Sequence, residues 1–172
     1  SIAAYIKLLD IVKSKYQAIS YLECYNTDNF ILWRHDVDYS LQHALSLAKL
    51  ENQRGIRATY FINIHSDFYN ALASDETEIL RKIEKLGHDI GIHLDANYYQ
   101  VNDIHDLEQA LELELLIFEK ILGSRPKVFS FHNPKEKHFT FDAQHYAGVI
   151  NCYSTYFKQE VGYVSDSNGY WR

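Results

Sequence analysis

Short apolar segments rich in β-branched and aromatic residues alternate along this chain with longer segments of helical periodicity. We predict strands at 29–36, 57–65, 88–95 and 126–133, and shorter ones at 148–154 and 161–167. We predict helices at 2–18, 40–55, 74–87 and 103–122. Because strand and helix alternate at least three times, the fold class is predicted to be α/β, with parallel βαβ units arranged as a barrel or a doubly wound sheet.

Composition narrows the class of protein. The 172 residues suggest one domain, and a hydrophobic content of 47% is enough for a sizeable core. A net charge of −6 argues against nucleic acid as a partner, because phosphates demand a basic surface. The two cysteines predict neither a disulfide framework nor a zinc ribbon. The apolar runs are too short to span a membrane, so we expect a soluble, cytoplasmic protein.

Polar and titratable side chains fall where the predicted strands end. They are Asp36 and Asp38 after the first strand, His65 after the second, His93 and Asp95 after the third, His132 after the fourth, and Asp166 after the last short one. In parallel α/β folds these strand ends share one edge of the sheet, and that edge holds the active site. The sequence therefore predicts a cluster of carboxylates and imidazoles at one end of one sheet.

Carboxylates and imidazoles without thiolates suit a divalent cation in an open, catalytic site, with Zn²⁺ as the favoured candidate. Strand alternation puts His93 and Asp95 on one face of the third strand, and Arg34 and Asp36 on one face of the first. Three protein ligands leave room for a water whose pKa the metal lowers. Asp36 and Asp38, two residues apart at the end of one predicted strand, can supply one general base and one metal ligand.

Several of these residues also have structural interpretations. Asp38 is well placed to cap the following helix, and Arg34 can serve as the ion-pair partner that holds Asp36. His65 either lines the active-site edge or lies on a surface loop. Tyr98 and Tyr99, after the third strand, either stack on a sugar or pack as tyrosines commonly do.

Three motifs in fixed order resemble those of a known family. "RHDVD" at 34–38, "GHDIGIH" at 87–93 and "SFHNP" at 130–134 are separated by βα units. In this order they resemble the polysaccharide deacetylase family, also called the NodB-homology or carbohydrate esterase 4 group. More narrowly, they and the closing "YVSDSNGYWR" look like its divergent branch from O-antigen and capsule gene clusters. The resemblance covers about residue 29 to 172.

The resemblance implies a distorted (β/α)7 barrel and metal-dependent removal of N- or O-acetyl groups from sugars. It implies that Asp36 is the general base. It also implies that Asp38 and His93 bind the metal, although the commoner family motif has two adjacent aspartates and here Val37 intervenes.

The chain departs from the family pattern at three places. Asn97 stands where the second metal histidine would lie, and an amide is a poor zinc ligand. A different motif replaces the family's arginine–proline pair, and we predict that its His132 supplies the third ligand, with Asp95 as the alternative. The family's late strand with a catalytic histidine is not recognisable, so either that segment is missing or the acid is supplied otherwise. Asp166 is predicted as a second catalytic residue, with an ordinary turn as the alternative.

We therefore predict one deacetylase-like catalytic domain over 1–172, with 1–28 as a helical N-terminal extension. It would remove an acetyl group from an N-acetylated sugar in surface polysaccharide biosynthesis, with a metal-bound water attacking the carbonyl and Asp36 as the base. The predicted substrate-binding residues are Arg34, His65, Asp95 and Tyr98. The alternative function is a glycan-binding or scaffolding domain that kept the fold and lost the catalytic site.

Overall fold

Helices and strands alternate through the part of the chain that the structure describes. This structure is a computed structural model and describes residues 1–164. The helices are α1 (Ile2–Lys15), α2 (Leu41–Asn52), α3 (Ser74–Lys85), α4 (Ile104–Leu122) and α5 (Thr155–Gln159). The strands are β1 (Gln17–Ala18), β2 (Phe30–Ile31), β3 (Trp33–Val37), β4 (Ala58–Ile62), β5 (Asp89–Leu94), β6 (Val128–Phe131), β7 (His145–Tyr146) and β8 (Val149–Asn151). Two short 3₁₀ helices lie at Cys24–Asn26 and Glu136–Thr140.

The main sheet has the strand order β3-β4-β5-β6-β8-β7. The first five strands in this order pair in parallel, and β7 joins β8 as an antiparallel edge. Strands β1 and β2 form a separate parallel pair. The prediction of an α/β fold built on a mainly parallel sheet is therefore confirmed.

A closed seven-stranded barrel is not confirmed. Within residues 1–164 the main sheet is open, with β3 and β7 at its edges. The two-residue β7 runs antiparallel to β8, so this edge does not continue the parallel register that a (β/α) barrel needs. Residues 161–164 do not form the predicted strand, and the rest of that prediction, 165–167, lies outside the described residues.

The two faces of the sheet are covered differently. On one face, helices α2, α3 and α4 pack against alternate strand residues such as Tyr60, Ile92 and Phe129. On the other face, Phe61 and Val128 belong to a smaller buried cluster that includes aromatic residues from outside the sheet. Alternation along each strand sends its side chains to these two faces in turn.

Helix ends follow the local signals in the sequence. The Ser40 hydroxyl accepts a hydrogen bond from the backbone nitrogen of His43, so Ser40 caps α2 at the start of the predicted helix 40–55. Gly55, just after α2, has φ of +68°, a left-handed conformation that glycine adopts without strain. Asp103 caps α4 in the same way as Ser40 caps α2. None of the helices in residues 1–164 is both long enough and apolar enough to cross a membrane.

Candidate active site

Three side chains from three strand ends come together at one edge of the sheet. Asp38 follows β3, His93 lies near the end of β5, and His132 follows β6. The Oδ1 atom of Asp38 lies 3.4 Å from Nε2 of His93 and 3.3 Å from Nδ1 of His132. The three possible ligand atoms all lie within 4.8 Å of one another. Parallel pairing brings these strand ends to the same edge, so residues far apart in sequence meet there.

This group of three residues can hold a divalent cation. A tetrahedral site with metal–ligand distances of about 2.0–2.1 Å has ligand atoms about 3.3–3.4 Å apart. Both distances at Asp38 have this length. Asp38 Oδ1 is buried without a hydrogen-bond partner among the described residues, and a cation would compensate its charge. The close approach of His93, aided by His132, holds the pKa of Asp38 below its ordinary value despite burial.

A contact outside the cluster orients the His132 ring. Its Nε2 atom lies 2.9 Å from the side-chain nitrogen of Asn133. With the Asn133 amide turned so that its oxygen accepts a hydrogen bond from the Nε2–H group, the Nδ1 atom presents its lone pair to a cation. The Asn97 side chain donates a hydrogen bond to the Asn133 carbonyl oxygen at 3.2 Å. Asn97 thus supports the segment that carries His132.

Asp36, the predicted base, lies on the same sheet face as His93, as the strand register requires. Arg34 donates from Nη2 to Asp36 Oδ1 at 2.5 Å and to Ser130 Oγ at 2.7 Å. Ser130 is fully buried in β6, so it fixes the guanidinium group from across the sheet. The Asp36 side chain is 38% exposed and remains accessible to water and to a substrate. Arg34 is therefore the ion-pair partner of Asp36, which was one interpretation of the sequence.

An aromatic ring lies against this ion pair. The guanidinium carbon of Arg34 is 4.4 Å from the centroid of the Phe61 ring, within the range of a cation–π contact. A Cβ atom on Gly91 would lie 2.7 Å from the Phe61 ring, so glycine is needed there to leave room for the ring. Gly91 thus allows the position of Phe61, which in turn supports Arg34.

A cavity of about 250 Å³ opens at this edge of the sheet. Its lining includes Asp38, His65, Asp95, His132, Tyr39 and Phe68. Tyr39 and Phe68 are 69% and 65% exposed, and their ring centroids lie 4.7 Å apart. Exposed aromatic rings beside a polar cavity suit a ligand that has both apolar and hydroxyl-bearing faces. A second cavity, of about 150 Å³, lies at the amino-terminal ends of the parallel strands, opposite the first cavity. None of the three clustered residues lines it.

Two tyrosines hold His65 at the cavity. Its Nε2 atom lies 2.7 Å from the hydroxyl of Tyr99, and the Tyr98 ring stacks on the imidazole with centroids 3.6 Å apart. Burial lowers the pKa of His65, and the charge of Asp95 offsets this in part. Glu114 on α4 has a side chain that is 0% exposed, and its Oε1 atom lies 4.0 Å from His65 Nε2.

The predicted site residues have different outcomes. The structure brings together the three predicted metal ligands Asp38, His93 and His132. Asp95, the alternative ligand, is not in this group, because its Oδ1 atom accepts hydrogen bonds from the backbone nitrogens of Asn97 and Tyr98 in a turn. Asp166 lies outside the described residues. The chemical roles assigned to all of them stay predictions.

Several residues around the site were given no role from the sequence. They are Glu114, Ser130 and Asn133. A signal for Glu114 was present, because it lies three residues after Leu111 and next to Leu115 on the buried side of α4. An acidic residue in an apolar helical face is uncommon, and its position marks it for attention.

Comparison with known proteins does not identify a family for this chain. No protein-family model matches the chain, and no curated protein matches it. Among solved structures, the chain is similar to a chitin deacetylase from the fungal pathogen Colletotrichum lindemuthianum, with a TM-score of 0.45 and 21% sequence identity. The match covers 58% of this chain and 43% of that one, so it spans less than half the length of that enzyme's chain. The function of this chain is therefore inferred from its own residues.

Proposed function

We propose that this protein is a metal-dependent hydrolase that removes the acetyl group from an N-acetylated sugar. The observation that carries the proposal is the meeting of Asp38, His93 and His132 within 4.8 Å, on the sheet face that also presents Asp36. A divalent cation, with zinc as our choice, would supply Lewis acidity, which lowers the pKa of water and polarises a carbonyl.

The chain's own residues have separate tasks in this proposal. Asp36 takes the proton of the attacking water, because it is an accessible carboxylate that does not belong to the group of three ligands. Arg34 orients Asp36 through their ion pair, and its bond to buried Ser130 keeps the guanidinium from turning away. The base is thus held in place before substrate binds, which reduces the entropic cost of reaching the transition state.

The cavity supports a sugar as the substrate. Tyr39 and Phe68 line it and are 69% and 65% exposed, and aromatic rings can pack against the C–H faces of a sugar ring. Tyr98, 60% exposed, stacks on the lining residue His65. The polar side chains of the lining supply partners for hydroxyl groups. We further propose surface polysaccharide assembly as the setting, on the sequence resemblance alone.

Metal analysis combined with an acetate-release assay tests the proposal. Purified protein should hold about one divalent cation, and His93→Ala and His132→Ala should each lose metal affinity by more than the roughly 10–100-fold expected for an outer-shell partner. Asp36→Asn should keep the metal and still accept the hydrogen bond from Arg34, yet lose about 10²–10⁴-fold in turnover of an N-acetylglucosamine oligosaccharide. His43→Ala, an exposed histidine on α2, is the matched control and should change neither.

Two results would contradict the proposal in different ways. Full acetate release by chelator-treated, metal-free protein would rule out the metal-dependent reaction. Stoichiometric binding of the oligosaccharide without any acetate release would instead favour the alternative, a glycan-binding domain without catalysis.

A further inference from the structure

We propose that His65 donates the proton to the leaving nitrogen of the substrate, and that Tyr99 and Glu114 form a relay that supplies this proton. The proposal rests on the proposed hydrolase function, because it assigns the acid of the same reaction. The family resemblance leaves the acid without a recognisable residue, whereas the structure offers a group beside the cavity.

The position of His65 suits a proton donor. It lines the same cavity as Asp38 and His132, and its side chain is 21% exposed. Its Nε2 atom is occupied by the Tyr99 hydroxyl at 2.7 Å, while Nδ1 has no hydrogen bond to any described residue. The stacked Tyr98 ring, 3.6 Å away between centroids, limits rotation of the imidazole. One ring nitrogen therefore faces the relay, and the other is available to a ligand.

Glu114 lies at the inner end of this chain of groups. Its side chain is 0% exposed, and its Oε1 atom is 4.0 Å from His65 Nε2. Neither of its carboxyl oxygens has a well-aligned hydrogen bond within residues 1–164, but the Tyr99 hydroxyl lies close enough to lower the pKa of Glu114 in part, so this hydroxyl is the group next in line for the proton. An ionised carboxylate in such a place would lack compensation for its lost hydration, so the neutral acid is the stable form. Burial raises the pKa of Glu114 to about 8; the Tyr99 hydroxyl opposes this shift in part, and the charge of Asp95 adds to it.

The relay moves one proton and keeps every atom in balance. When the C–N bond of the amide breaks, the leaving nitrogen takes the proton from Nδ1 of His65. The Tyr99 hydroxyl gives its proton to Nε2, and the Glu114 carboxyl replaces the proton of Tyr99. Glu114 is left as a carboxylate and regains its proton from solvent, while Asp36 loses to solvent the proton that it took from water.

His65 stays neutral throughout this sequence. It changes only which nitrogen carries the proton, so no imidazolium has to form at a partly buried site. This agrees with the lowering of the pKa of His65 by burial, which disfavours the charged ring. The proton that is consumed comes from Glu114, which has no lysine or arginine partner among residues 1–164, whereas Asp36 is paired with Arg34. Acid and base are thus set apart by their surroundings.

Comparison of two substrates tests the assignment. An N-acetylglucosamine oligosaccharide needs a proton on its leaving nitrogen, whereas p-nitrophenyl acetate releases p-nitrophenolate without one. With the oligosaccharide, His65→Gln should lower kcat by about 10²–10³-fold, and Tyr99→Phe and Glu114→Gln by about 10-fold or more, with KM little changed. With p-nitrophenyl acetate, all three variants should stay within about 3-fold of the wild type.

Controls separate a chemical role from a structural one. Metal content should match that of the wild type in every variant, and Glu112→Gln, an exposed glutamate on the same helix, should behave as wild type. Infrared difference spectra of metal-free protein at pH 7 should show the carbonyl stretch of a protonated carboxylic acid in the wild type and not in Glu114→Gln. This measurement does not depend on turnover.

Each contrary result has a distinct meaning. Equal losses on both substrates, or an unchanged kcat for His65→Gln on the oligosaccharide, would overturn the role of His65 while leaving the hydrolase intact. Absence of the carboxylic acid signal from the wild type would overturn the relay. A wild-type protein that releases no acetate from either substrate would refute the proposed function itself, and the assignment of the acid with it.

Discussion

Two glutamates, Glu51 on α2 and Glu114 on α4, are both 0% exposed, but their surroundings are opposite. Glu51 is contacted by four hydrogen-bonding side chains, those of Tyr5, Trp33, His35 and Tyr60. Glu114 has no well-aligned hydrogen bond to either carboxyl oxygen within residues 1–164, and the Tyr99 hydroxyl is the one hydrogen-bonding group that lowers its pKa. Glu51 is therefore a buried carboxylate whose charge is compensated by hydrogen bonds. The equally buried Glu114 carboxyl lacks such compensation.

The pKa values of the two groups move in opposite directions. Burial alone would raise the pKa of Glu51, but the hydrogen bond and charge of His35, together with the bonds from Tyr5 and Tyr60, outweigh it and lower the pKa. Burial raises the pKa of Glu114 to about 8. At equal burial, hydrogen bonding to the charged form decides whether a carboxyl group is ionised or protonated.

The difference in surroundings corresponds to a difference in position. The donors to Glu51 come from α1, β3 and β4, so this carboxylate ties the first helix to the edge of the sheet. Glu114 lies beside His65 at the cavity that contains Asp38 and His132. We infer that Glu51 stabilises the fold and that Glu114 serves the chemistry.

The largest expected effect is the loss of stability in Glu51→Ala. The substitution leaves two hydroxyls, an indole and an imidazole without their acceptor, and we expect the free energy of unfolding to fall by about 3–5 kcal/mol. Urea unfolding at pH 7 measures it. Glu78→Ala, which removes an exposed carboxylate at 3.7 Å from Arg81, is the control and should change stability by less than about 0.5 kcal/mol. A loss below about 1 kcal/mol for Glu51→Ala would remove the contrast between the two glutamates.

The second prediction concerns the pH dependence of stability. Because the folded-state pKa of Glu114 is raised above its unfolded value, its contribution is complete below about pH 4.5 and is lost as pH rises through about 8. One extra proton in the folded state changes the free energy of unfolding by about 1.4 kcal/mol per pH unit. Between pH 6 and pH 7.5 the wild type should therefore lose about 2 kcal/mol more than Glu114→Gln.

The contribution of Glu51 to the free energy of unfolding should change with pH in the opposite direction. Its folded-state pKa is lowered, so its contribution is present above its unfolded value and is lost as pH falls through the folded value. Urea titrations of wild type and Glu114→Gln at several pH values measure the contribution of Glu114. The contributions of all other groups cancel in the difference between the two proteins. Parallel profiles for the two proteins would show that Glu114 is ionised in the folded state.

Much of the fold could be predicted from the sequence because its signals are local. Apolar periodicity indicated the four long helices and the strands of the parallel sheet, and Ser40 indicated the start of α2. Closure of the sheet could not be predicted in this way, since it depends on how distant edges pair. The barrel was inferred from resemblance, and the described residues form an open sheet.

The candidate site was predictable to the extent that topology determines it. Parallel strands bring their ends to one edge, so Asp38, His93 and His132 could be grouped without knowing any distance. The partners of these groups could not be predicted, because they arise from packing between elements far apart in sequence. The contacts of Tyr99 with His65 and of Arg34 with Ser130 are examples.

The smallest expected effect comes from removing one tyrosine hydroxyl near each glutamate. Tyr5→Phe takes a donor from a charged carboxylate and should lower the free energy of unfolding by about 1.5 kcal/mol. Tyr99→Phe takes a donor from His65, which is 21% exposed and can turn to water, so its loss should be about 0.5 kcal/mol. Urea unfolding of the two variants at pH 6, where Glu114 is protonated, makes the comparison. Equal losses would mean that Glu114 also holds a charge that needs its neighbouring hydroxyl, and the distinction between a structural and a chemical glutamate would fail.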